Sequence, residues 1–147
     1  MTEQATNQPP TTEQEIFAKL LPLVREVTGA PAARVTMQAG LMEDLGAESI
    51  DLLDLSFLIE EAFGVTLEAD EFERHATDRL GGRPYEREGV LTEEALGELR
   101  KALPEVPPEK FRPGLRKIEL PSVLTVAVFV HLIQRKLAGR PQEVTDA

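Results

Sequence analysis

The sequence predicts an all-α bundle of three longer helices and one or two shorter ones, and three observations lead to it. Apolar residues recur at helical spacing in three separate segments, near residues 12–28, 49–63 and 122–138. Each of these segments carries its own start or stop signals. Between the second and third lies a stretch rich in Arg, Gly and Pro that holds one short helical pattern.

The first helix begins at "TTEQEIF", where Thr12 and Glu15 have the spacing of a capping box. Ile16, Phe17, Leu20, Val24 and Val27 then share a face, and Gly29 closes the helix. Pro22 lies inside it and is expected to kink it or divide it in two. Residues 29–48 have no period and read as a long ordered loop pinned by Val35, Leu41 and Leu45.

The second helix starts at Ser49, which the pattern places as its N-cap. Ile50, Leu53, Phe57 and Ala62 share a face that Leu52, Leu55, Leu58, Ile59 and Phe63 widen, and Gly64 is the stop. Leu53, Leu58, Ile59, Phe17 and Val130 are expected in the core. "VTLEADEFE" reads as a linker and turn, and "LTEEALGELRKAL" as a short helix ended by Pro104. The last element has Val123, Val126, Val130, Ile133 and Leu137 at helical spacing and Gly139 as its stop. Its β-branched residues also permit a buried strand.

Length and composition fit one compact domain, since 147 residues with 41% hydrophobic content can enclose a modest core. Residues 12–139 are expected to form that domain, with a disordered tail at 1–11 and a flexible one at 140–147. The absence of cysteine excludes disulfides and any thiol supplied by the protein itself. The N-terminus has no basic and apolar leader pattern, so the expected location is cytoplasmic. The apolar run "LPSVLTVAVFVHLIQ" is too short to span a bilayer.

The net charge of −10 is unevenly distributed. Residues 1–72 carry 3 basic and 14 acidic side chains, whereas residues 73–120 carry 10 of each. Such an acidic surface repels nucleic acid and steers basic protein partners toward it.

The segment "DLGAESIDLLDLSFLIEEAFGV" resembles the modification site of the acyl carrier protein family. Asp44, Leu45, Gly46, Ser49, Ile50, Asp51, Leu53, Asp54, Leu55, Glu60, Glu61 and Phe63 fall in step with the family pattern without a gap. The likeness covers residues 13 to about 72 and resumes more weakly over 121–138. It implies an acyl-carrier-like bundle, whose core residues, among them Leu53, Leu58, Ile59, Phe17 and Val130, can also open to sheathe an acyl chain, and in which Ser49 bears 4′-phosphopantetheine through a phosphodiester, the arm's thiol holding an acyl group as a thioester. It further implies a carrier without turnover of its own, serving fatty-acid, specialised lipid or polyketide synthesis as a monomer. Its partners would be a phosphopantetheinyl transferase and acyl synthases and acyltransferases with basic patches. Glu48, Asp51, Asp54, Glu60 and Glu61 would form the acidic strip that docks them.

From the residues alone, Ser49 reads either as an attachment point or simply as a helix cap. In the second case the chain is an unmodified acidic interaction subunit. A serine hydrolase is disfavoured because no G-x-S-x-G elbow or nearby base accompanies Ser49. A divalent-ion loop is disfavoured for lack of a D-x-D-x-D-G pattern, and His75 and His131 make no metal site on their own. A peptidyl carrier stays open, although the acidic residue before Ser49 favours acyl cargo. Two features depart from the family: Glu48 stands where Asp is common, and residues 73–120 form an insertion. That insertion is expected either to neutralise the acidic body or to add an acyl-pocket mouth or private docking surface, with the aromatic residues Tyr85 and Phe111 inside it and Phe72 just before it.

Overall fold

A computed structural model describes residues 12–68 and 71–139. The expected tails at 1–11 and 140–147 lie outside the described residues.

Helix α1 spans Glu13–Thr28. The Thr12 hydroxyl accepts from the Glu15 N–H at 3.1 Å while the Glu15 carboxylate accepts from the Thr12 N–H at 3.1 Å, so the capping box is complete. Contrary to a division at Pro22, α1 continues through it as one element. Pro22 offers no N–H to the carbonyl one turn earlier, at Ala18, but Ala18 is exposed and water can take that role. Ile16, Leu20 and Val24 are fully buried, with Phe17 and Val27 half-buried beside them.

Helix α2, Ser49–Phe63, and helix α5, Val126–Ala138, both pack on α1 and complete the set of longer helices. For α5 the alternative of a buried strand is settled in favour of a helix. Its length and its Thr125 cap outweigh the β preference of its valines, and nearly all of its apolar side chains are buried. Val123 precedes it, in a 3₁₀ segment spanning Lys117–Val123.

Two shorter helices, α3 at Glu71–Leu80 and α4 at Glu93–Ala102, pack against one another. Helix α4 matches the short helix expected before Pro104, with Thr92 as its cap. Helix α3 corrects the sequence reading, because it begins inside the supposed linker. Phe72, Ala76 and Leu80 recur every fourth residue along it, a narrow apolar stripe in an otherwise polar segment.

A two-residue hairpin separates α3 from α4. Strands β1, Glu86–Arg87, and β2, Val90–Leu91, pair antiparallel around Glu88 and Gly89. Both turn residues have positive φ, 53° and 85°, as a type I′ turn demands. Residues 115–117 extend this ribbon, with the Leu91 N–H donating to the Leu115 carbonyl and the Lys117 N–H to the Gly89 carbonyl.

The insertion shares its core with the bundle. Leu91, Leu96, Leu99, Leu103, Phe111 and Leu115 are buried in the same apolar cluster as Ile16, Leu55, Ile59 and Ile133. Arg100 fastens the stretch after α4 by donating to the Phe111 carbonyl at 2.6 Å. Phe111→Ala is expected to cost about 3–5 kcal/mol, with a single unfolding transition in urea for the whole domain. A separate transition for the insertion would show that the two cores are independent.

His131 ties three elements together. Its Nδ1 lies 2.6 Å from Glu105, in the segment after α4, and its Nε2 meets Glu13 at the start of α1. Partial burial opposes the charged ring, but these two carboxylates outweigh it and raise the pKa above the ordinary value. A raised histidine pKa contributes stability that is fully present below the unfolded value of about 6.5 and is lost as pH rises through the folded value. Wild-type stability measured by urea titration is therefore expected to fall as pH rises above about 6.5, and His131→Gln is expected to flatten that slope. An equal slope in both proteins would remove His131 as its source.

Candidate functional site

The loop that leads to Ser49 is held by its own backbone and by the head of α5. The Asp44 carboxylate accepts from the Gly40 N–H at 2.7 Å, and the Asp44 and Leu45 N–H groups both donate to the Gly40 carbonyl. Arg34 donates to the Asp44 carbonyl at 2.9 Å. Three further bonds tie the loop to the segment that opens α5: Leu41 N–H to Leu124 carbonyl, Val126 N–H to Ala39 carbonyl and Ala127 N–H to Met37 carbonyl. Val35, Leu41 and Leu45 are buried, as their pinning role requires.

Gly46 then turns the chain with a φ of 79°. A side chain at Gly46 would meet no atom within 4 Å, so its requirement is conformational rather than steric. Gly46→Ala is expected to lower stability by about 1–2 kcal/mol, measurable by denaturant unfolding.

Ser49 is the first residue of α2 and not its cap, which corrects the sequence reading. Glu48 has the extended backbone of an N-cap, with φ −106° and ψ 172°, and its carbonyl accepts from the Leu52 N–H. Its own N–H donates to the Asp51 carboxylate at 2.9 Å. Capping is thus carried by residues on either side of Ser49, leaving the Ser49 side chain exposed and without a hydrogen-bond partner among the described residues. At the positive end of a 15-residue helix, an exposed hydroxyl in this position suits a phosphodiester.

The acidic strip divides into two kinds of residue. Asp51 holds the cap, and the Glu60 carboxylate accepts from the Leu67 N–H at 2.8 Å, fixing the chain as it leaves α2. Glu48, Asp54 and Glu61 are exposed.

A second correction concerns the face of α2. Leu55, Ile59 and Phe63 point into the core, while Ile50, Leu53 and Phe57 are 59%, 51% and 60% exposed. Leu53 is therefore a surface residue, and Leu58 is half-buried. The helix is apolar around much of its circumference, so periodicity alone does not select the buried side.

Leu53 and Phe57 edge a groove whose position and walls the sequence did not locate. It has a volume of about 390 Å³ and runs from Leu52 and Leu53 on α2 past Phe72 on α3 to Leu132 on α5. Leu120, Pro121 and Leu124 form another wall, so the residues just before α5 help to enclose it. Glu60, Glu68, Glu71 and Glu73 also line it. Phe72 stands edge-on to Phe129, with ring centres 6.2 Å apart.

The 73–120 segment reaches the loop before α2 through Lys110, whose Nζ lies 2.6 Å from the Glu43 carboxylate. Lys117 similarly meets Glu86 at 3.1 Å, which raises its pKa. Tyr85 has a buried hydroxyl without a hydrogen-bond partner among the described residues. Burial first, then the nearby Glu73 and Glu86 carboxylates, push its pKa up, so it remains a neutral phenol. Among the described residues no helix is long and apolar enough to cross a membrane.

The Ser49 side chain, exposed and without a partner among the described residues, stands at a helix start with a hydrogen-bonded loop before it and an apolar groove about one turn beyond. The phosphopantetheine attachment site family matches residues 18–77, a span that contains this loop, α2 and most of α3. The chain is 39% identical over 64 residues to an acyl carrier protein of Thermotoga maritima, covering 44% of this chain and 79% of the relative. It is 40% identical over 62 residues to an acyl carrier protein of Guillardia theta, covering 42% and 76%. For one of Petrotoga mobilis the identity is 35% over 66 residues, covering 45% and 78%. No solved structure matches the chain. The chain belongs to the acyl carrier protein family. It is a carrier and not an enzyme, and its cofactor is covalently attached 4′-phosphopantetheine.

Proposed function

We propose that Ser49 is the attachment residue and that residues 12–139 work as one carrier unit, presenting acyl thioesters to synthases and acyltransferases. The carrying observation is the Ser49 side chain, exposed at the start of α2 while Glu48 and Asp51 perform the capping. Arm chemistry needs no base from this chain, because a separate phosphopantetheinyl transferase makes the phosphodiester and the arm brings the thiol.

Docking combines charge with apolar contact. Glu48, Asp54 and Glu61 offer carboxylates to a basic patch, and Ile50, Leu53 and Phe57 lie exposed on the same helix. The reading of a permanently unmodified subunit loses its main support, since Ser49 is not the cap it requires. The cargo falls within fatty-acid, specialised lipid or polyketide chemistry, and the insertion suits a carrier with dedicated partners. Its core is shared with the bundle, so its role is better tested by surface substitutions than by deletion.

The decisive experiment is intact mass before and after incubation with coenzyme A and a broad-specificity phosphopantetheinyl transferase. One phosphopantetheine is expected on the wild type and none on Ser49→Ala. No gain on the wild type, with the transferase active on another carrier, would overturn the assignment of Ser49. A second test separates docking from folding. Phe57→Ser is expected to leave stability within about 0.5 kcal/mol while raising the concentration of loaded carrier at which a partner acyltransferase is half-saturated.

A further inference from the structure

A second, smaller pocket of about 170 Å³ lies between α3 and α5. His75 and Arg79 line it from one face of α3, and Arg135 lines it from the last turn of α5. Neither arginine is in an ion pair with a described residue. Glu71, which also borders the pocket, is engaged by Lys136 at 3.0 Å. The cluster is thus a local excess of positive charge on a chain whose net charge is −10. Favourable interaction with the helix dipoles accounts for an arginine near the end of α3 and another near the end of α5. It does not account for their convergence with His75 on one cavity.

The two cavities share Glu71, Phe72 and Leu132. An apolar chain that enters the larger groove beside Leu52 and Leu53, within about one and a half turns of Ser49, would reach Phe72 and Leu132 past the Glu60, Glu68, Glu71 and Glu73 side chains that also line it. Beyond those two side chains lie the arginines. We infer that this pocket receives an oxyanion at the far end of the acyl cargo, so that the carrier is matched to acyl groups ending in a carboxylate. The inference rests on the assignment of Ser49 as the attachment residue. Guanidinium groups bind a carboxylate through charge-assisted, paired hydrogen bonds. A methyl end gains nothing there, and an ammonium end is repelled.

The test loads the full chain from coenzyme A thioesters in matched series: hexanoyl against adipoyl and ε-aminocaproyl, then dodecanoyl against dodecanedioyl. Intact mass first establishes loading, so failure of the Ser49 assignment is recognised before the pocket is examined. The readouts are the His75 ring resonances and the rate of thioester cleavage by hydroxylamine. Dicarboxylic cargo of at least one length is expected to shift His75 and slow cleavage about tenfold relative to its methyl-ended match. Arg79→Gln combined with Arg135→Gln, both at exposed positions, is expected to abolish that difference while leaving methyl-ended cargo unaffected. Equal behaviour of both cargo types at every length, or a carboxylate effect that survives the double substitution, would overturn the inference. So would free adipate shifting His75 in Ser49→Ala as strongly as tethered adipoyl does in the wild type, because the pocket would then serve a general anion.

Discussion

The first amide groups of α5 are satisfied by the loop that delivers Ser49. A helix start leaves its first N–H groups without intrahelical acceptors, and here Val126 and Ala127 donate to the carbonyls of Ala39 and Met37. The Leu41 N–H returns a bond to the Leu124 carbonyl, so the loop and the head of the last helix complete each other's backbone hydrogen bonding. The position of Ser49 thereby depends on a residue contact more than seventy positions away in the chain, and α5 depends on the same contact for its start. Disturbing either element leaves polar backbone groups without partners, the more costly where they are buried.

Around that junction the molecule separates rigid from receptive surface. The loop is fixed by Asp44 and by the buried Val35, Leu41 and Leu45, whereas the Ser49 side chain is engaged by none of the described residues. The proposed attachment at Ser49 would use this combination, because an arm must leave the protein freely from a point whose location is reproducible for every partner. The exposed apolar residues of α2 are consistent with the same demand. Ile50, Leu53 and Phe57 remain in contact with water, a standing cost that burial against a partner relieves.

The insertion is not an appendage to this design. Phe111 and Leu96 lie in the common core, Lys110 meets the loop before α2 at Glu43, and Glu105 meets His131 of α5. The Lys110 contact sets a cation of this segment against an acidic residue of the loop. Enclosing the groove is a different contribution, made by Leu120 at the end of this segment and by Pro121 just beyond it, which line it opposite residues of α2 and α3.

What the sequence determined by itself was whatever depends on neighbours a few residues apart. The Thr12 and Glu15 capping box, the stop at Gly64 and the end of α4 before Pro104 are local bonds and local backbone preferences. The family resemblance around Ser49 was legible because its residues form one ungapped pattern. Tertiary structure alone decided which side of α2 faces inward, since both of its apolar stripes satisfy helical periodicity and only packing against α1 separates them. It also placed the cap on Glu48, through a bond from Glu48 N–H to Asp51 that competes with the equally plausible serine cap. Helix α3 escaped notice because its apolar stripe is narrow and needs α4 to cover it. The groove and the cationic pocket were invisible for the same physical reason: their walls come from segments that approach one another only when the bundle closes.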